Sequence, residues 1–165
     1  FTLLVPVSML VDTIGKQFMS RFIQMMKENR YGDIIKIELT IYFVVLMICI
    51  LLSMLGYWVV GIYAGFEYRT EGVSTLISLL AFYPILKAVY QFQGRKFLFH
   101  SDTKNLMYIT VTTSGFYLMY LYSMIGEISA LLYAESFMIY NFALSLLVSA
   151  IAYQKYRGGS RVKFK

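Results

Sequence analysis

Three stretches of the chain carry no Asp, Glu, Lys or Arg: Leu39–Phe66, Asn105–Gly126 and Ser136–Gln154. Each reaches the roughly 18 residues that a helix needs to cross a ~30 Å hydrocarbon core. The breaks around these and two further apolar segments predict five helices, over residues 1–27, 37–63, 72–93, 104–124 and 128–153. A transmembrane barrel would need strands of about ten residues with alternating polarity, whereas these runs are continuous. Backbone in lipid must satisfy its own hydrogen bonds, so continuous apolar runs imply helices. The predicted fold class is therefore all-α, a polytopic membrane helix bundle over residues 1–153 with a basic cytoplasmic tail over 154–165.

The first predicted helix departs from the apolar pattern. At 100° per residue, Ser8, Asp12, Thr13, Lys16, Gln17, Ser20, Arg21 and Gln24 occupy an arc of roughly 220°. Val7, Val11, Ile14, Phe18, Phe22 and Met26 fill the other side. Charges inside spans are costly and mark functional candidates. Two readings of the polar arc stand side by side: the wall of an aqueous cavity, or internal pairing of Asp12 with Lys16 four residues away.

Lys87 is the next such charge. It lies about 10 Å of helix from the cytoplasmic end of the third span. Pro84, three residues earlier, predicts a kink that opens a polar gap, and Gln91 follows one turn later. Lys87 either lines a lumen or snorkels to the interface. Glu135, about two turns into the fifth helix, faces the lumen or reaches the outer headgroups. Most of the 15 Tyr and 13 Phe suit interfacial belts better than a sugar-stacking platform. Asn141, Ser145 and Ser149, spaced by four, suit helix-on-helix packing.

Composition narrows the class further. Hydrophobic residues make up 59% of the chain and charged residues 15%, with mean hydropathy +0.64; a soluble domain carries about a quarter charged residues. The net charge is +6, but removing Lys155, Arg157, Arg161, Lys163 and Lys165 of the tail leaves +1. A basic terminal tail suits a cytoplasmic flank and anionic headgroups, so no nucleic-acid partner is expected. Lys27, Arg30 and Lys36 fall in one predicted connection and Arg95, Lys96 and Lys104 in another. The alternate connections, 64–71 and 125–127, offer only Arg69 beside Glu67, Glu71 and Glu127. This alternation predicts a cytoplasmic C-terminus. The opening at Phe1, without methionine and inside an apolar run, reads as the continuation of upstream sequence. Cys49 is the single cysteine and His100 the single histidine, so neither a disulfide nor a metal site is expected. Neither is a cofactor or catalytic residue, because no enzyme motif is present.

The connections carry a family resemblance. The segment Ile62-Tyr63-Ala64-Gly65-Phe66-Glu67-Tyr68, followed by Thr75-Leu76-Ile77-Ser78-Leu79-Leu80, resembles the G-x-E-Y outer turn and leucine-rich span start of Wzx-type polysaccharide (O-antigen) flippases. These belong to the multidrug/oligosaccharidyl-lipid/polysaccharide exporter superfamily. Gln93-Gly94-Arg95-Lys96 resembles the family's short basic cytoplasmic turn. Met124-Ile125-Gly126-Glu127-Ile128-Ser129-Ala130 is similar to its G-x-x-G-A turn, with Ser129 in place of the second glycine. The resemblance spans essentially the whole chain. It implies the last five helices of the second six-helix half of a flippase in the bacterial inner membrane. The implied activity is alternating-access transport of an undecaprenyl-pyrophosphate-linked oligosaccharide for lipopolysaccharide or related polysaccharide biosynthesis. The implied partners are that lipid-linked substrate, membrane lipids and, as a candidate, a polysaccharide polymerase. A pyrophosphate makes cavity cations sensible, so Lys16, Arg21 and Lys87 become the expected substrate contacts, with Asp12 and Glu135 as counter-charge or coupling groups. The rival readings are a drug/cation antiporter of the same superfamily and a membrane polymerase or acyltransferase. The antiporter would favour lumenal acids; the polymerase would need a long outer loop.

Overall fold

The computed structural model describes residues 5–63, 71–126 and 129–156. All the regular structure described is helical: α1 (Val5–Lys27), α2 (Tyr31–Tyr63), α3 (Glu71–Leu80), α4 (Tyr83–Phe99), α5 (Thr103–Ser123) and α6 (Ala130–Tyr156). Three stretches are long and apolar enough to cross a membrane: Tyr31–Gly56, Gly72–Phe99 and Ala130–Tyr156. The outer surface matches a lipid solvent. Phe43, Met54, Met107, Phe116, Met119 and Ile139 are all well exposed, and soluble monomers rarely display such contiguous apolar surface. The chain is a helical membrane bundle.

The single helix expected over 72–93 is two, α3 and α4, separated by a turn at Ala81–Phe82. Pro84 explains the break. It sits in the first turn of α4, where its missing N–H costs nothing because that donor has no intrahelical acceptor. Further back in a continuous helix it would clash with the preceding turn.

α4 is the central element, packing against α1, α2, α5 and α6. Its Ala88 and Phe92 meet Val11 of α1 and Ile41, Val45 and Cys49 of α2 in one buried cluster. Its Phe97 meets Leu144, Val148, Ala152 and Tyr156 of α6 in another. The apolar side of α1 faces inward: Val11, Phe22 and Met26 are buried. α3 packs on α2 and α6, and α5 lies along α6 with no residue fully buried. Ser145, of the predicted polar stripe, is buried and donates to the Leu86 carbonyl of α4 at 2.9 Å, which locks α6 to α4.

Two connections are shorter than the charge pattern predicts. α1 ends in a left-handed Asn29 (φ 57°), with Arg30 N–H on the Met25 carbonyl at 2.9 Å and Asn29 N–H on Met26 at 3.2 Å. This Schellman closure lets α2 begin at Tyr31, six residues before the expected Ile37. The end of α4 repeats the device: Ser101 has φ 55° and Asp102 N–H reaches the Phe97 carbonyl at 2.8 Å. Gln93-Gly94-Arg95-Lys96 is consequently helix and not a turn. Its charges stay within the helix: Lys96 pairs with Glu38 of α2, and Arg95 lies over the ring of Phe92 in α4 itself. The α5–α6 hairpin closes around Gly126, whose φ of 104° suits a residue without Cβ. The Gly65–Tyr68 motif, Arg69, Glu127-Ile128 and the tail from Arg157 lie outside the described residues.

Candidate functional site

Asp12 of α1 and Lys87 of α4 form a partly buried ion pair across the α1–α4 contact. Lys87 Nζ donates to Asp12 Oδ2 at 2.8 Å and to Ser8 Oγ at 2.6 Å. Gln91 Nε2 donates to the other carboxylate oxygen, Oδ1, at 2.6 Å. Lys87 and Gln91 stand one turn apart on α4 and Ser8 and Asp12 one turn apart on α1, so four side chains meet across one helix contact. The break before Pro84 starts α4 afresh and sets this face against α1. The pairing Asp12–Lys16, open from sequence, gives way to Asp12–Lys87.

This cluster is not sealed. The Asp12 side chain is 39% exposed and that of Lys87 22%. Lys87 and Gln91 also line a cavity of about 280 Å³ with Tyr83, Tyr90, Tyr140 and Asn141. Its lining hydroxyls and amides come from α4, α5 and α6; Tyr90 and Thr110 hydroxyls bond each other at 3.2 Å. Lys87 is thus placed between a carboxylate and a cavity that tyrosine, threonine and amide side chains help to line. Lys16 and Arg21 are exposed on α1, apart from this contact, in company with Thr13, Gln17 and Ser20. Glu135 is exposed in the second turn of α6. The structure therefore joins Asp12 with Lys87 and leaves Lys16, Arg21 and Glu135 outside the cluster.

A second polar cluster went unread in the sequence. The Glu38 side chain is only 5% exposed. Its Oε2 accepts from Lys96 Nζ at 3.0 Å and from Gln93 Nε2 at 3.3 Å, and Gln93 also donates to the Tyr42 hydroxyl at 3.3 Å. Next to it the Arg95 guanidinium lies 4.6 Å over the Phe92 ring, a cation–π contact. It fits against α1 because Gly15 offers no Cβ there. The available signal is Glu38, at the start of the predicted 37–63 helix beside a charge-free run, and Lys96, in the predicted connection after the third helix.

A third cluster closes the end of α4 on α6. Asp102 accepts from Tyr156 at 2.7 Å, from Asn105 at 2.7 Å and from Lys155. Burial pushes the Asp102 carboxyl up, but these donors outweigh it and hold the carboxyl below its ordinary range. His100 stacks on Tyr156 with ring centroids 4.2 Å apart. Burial pushes its imidazole below the usual histidine value against the opposing pull of Asp102. Among the described residues no group of three or more His, Cys, Asp or Glu could hold a metal. Cys49 is buried and unbridged.

The chain matches no family model, no curated protein and no solved structure.

Proposed function

We propose that the chain is the C-terminal part of a bacterial inner-membrane transporter, multi-pass with a cytoplasmic C-terminus, that moves a lipid-linked oligosaccharide by alternating access. The observation that carries this reading is Lys87, a cation inside a membrane bundle held by Asp12 and Ser8 and bordering a cavity whose walls include tyrosine, threonine and amide side chains. A structural span does not need such a group, and its cost marks function.

In this reading an anionic pyrophosphate competes with Asp12 for Lys87. Charge-assisted bonds to phosphate oxygens replace those to the carboxylate, and Asp12 remains as the counter-charge when the site is empty. Lys16 and Arg21 on the open face of α1 extend the cationic path. The polar surface of α1 suits contact with the aqueous cavity of the complete transporter, and a transporter accounts for it better than an enzyme does. The test is removal of Lys16, Arg21 and Lys87, singly and together, in the full-length protein, followed by assay of surface polysaccharide. Loss of polymer in the Lys87→Ala strain and in the combined variant is expected. Normal polymer in all four strains would sink the anion path.

Asp12 supports a second reading, a cation antiporter of the same superfamily. Both its oxygens are engaged by donors from α4, as a carboxylate that trades Lys87 for a substrate cation would be. Asp12→Asn would then abolish drug efflux and Lys87→Met would spare it.

A further inference from the structure

A cleft of about 540 Å³ lies at the end of the bundle where α2 begins and α6 finishes. α2 and α6 both pack on α4 and leave this space between them. Its walls include Leu39 and Leu146, which are 60% and 53% exposed on the apolar outer surface. Its polar floor includes Glu38 and Lys96.

Glu38 points to a ligand. Its Oε2 has two donors, but Oε1 is buried without a hydrogen-bond partner. A buried charged acceptor left unpaired forfeits its hydration with no return. Lys96 Nζ has the opposite surplus. Of its three N–H groups, one goes to Glu38 Oε2 and one to Gln93 Oε1, which leaves one donor. The cleft therefore holds an unfilled anionic acceptor beside an unfilled cationic donor, at the foot of an apolar wall open to lipid. A free zwitterion would leave the apolar wall bare, and inorganic phosphate would meet the Glu38 charge. A choline headgroup has no N–H to give to Oε1.

We propose that this cleft binds an ethanolamine-type phospholipid from the leaflet at the basic end of the bundle. Its ammonium donates to Glu38 Oε1, its phosphate accepts from Lys96, and an acyl chain lies along Leu39 and Leu146. The four charges alternate in sign, and the neutral lipid leaves the net charge of the site unaltered. Tyr31, Tyr153 and Tyr156 line the same cleft, at the depth where aromatic residues meet headgroups. The inference needs only a membrane bundle and stands apart from the identity of any transported substrate.

The test is native mass spectrometry of the full-length protein with ethanolamine, N-methylated ethanolamine, choline and glycerol phospholipids of identical acyl chains. The wild type is expected to retain the ethanolamine lipid about tenfold over the choline lipid, the scale of one hydrogen bond to a charged group. Retention should fall when the last N–H is lost on full methylation. Glu38→Gln should bring the preference close to unity. Ala150→Phe, which fills the cleft and leaves Glu38 intact, should remove retention altogether. Equal retention of ethanolamine and choline lipids by the wild type, a preference for the glycerol lipid, or a preference that survives in either folded variant would overturn the proposal.

Discussion

Lys87 has three donors, and two of them go to Ser8 and Asp12. Lys87→Met leaves the Asp12 carboxylate with Gln91 alone. Because Asp12 is partly exposed, the expected loss of unfolding stability in mixed micelles is about 1 kcal/mol, the upper end for an exposed ion pair and less than a buried charged hydrogen bond is worth. Combining it with Asp12→Asn should recover a coupling of about 0.5–1 kcal/mol in a double-mutant cycle; strict additivity would show the two groups to be independent. At the far end of α4, His100 gives a pH signature. Its imidazole is held below the ordinary histidine value by burial, so the neutral form stabilises the fold fully above pH about 6.5. That contribution is lost as pH falls through the lowered value. Asp102, also held low, contributes above its ordinary value near 3.8 and fails only in stronger acid. Hydrogen exchange at 100–106 and 150–156 should therefore rise as pH drops below 6.5, after correction for intrinsic rates, and His100→Phe should flatten that first rise. Of these residues, Asp12, Lys87 and His100 stood out in the sequence because each is a polar group of a rare type in its surroundings. Their partners did not. A helical wheel offers Lys16 to Asp12, and only the approach of α4 to α1 decides for Lys87.

At the level of helices, charge-free length marks two of the three stretches apolar enough to cross a membrane. The charge-free run over 105–126 forms α5, which is not one of them, and the positions of charges misplace the helix ends. Arg95 and Lys96 read as a loop because a lysine or arginine at a span end normally faces water. Here Lys96 reaches Glu38 and Arg95 covers Phe92, so α4 carries both charges inside the helix as far as Phe99. Glu38 lies within the predicted second helix, two turns into α2, and its role stays hidden in the sequence because its partner Lys96 falls in a predicted connection. Pro84 marks the right place, although the kink expected there is a full break between α3 and α4. Gly126 is similarly direct: with φ at 104°, a Cβ adds strain, and Gly126→Ala should cost about 1–2 kcal/mol. A thermal midpoint for Gly126→Ala equal to the wild type would show that the α5–α6 turn tolerates a side chain.

At the scale of the whole molecule, the apolar outer surface and the buried polar contacts belong together. α4 carries donors on two faces, Lys87 and Gln91 towards α1 and Gln93 and Lys96 towards α2, and each meets a carboxylate of a neighbouring helix. Membrane class was legible in the sequence because lipid acts on every outward residue of a span. The cavities were not, because they arise from the angle at which separate helices leave α4. Transport is the claim on which the account turns. Its most direct measurement is translocation of a fluorescent lipid-linked oligosaccharide by the reconstituted full-length protein, read with an impermeant quencher. Wild type should flip the probe, and Lys87→Ala should slow it by about tenfold, the worth of one charge-assisted contact to phosphate. Equal rates in wild-type, Lys87→Ala and protein-free vesicles would contradict it.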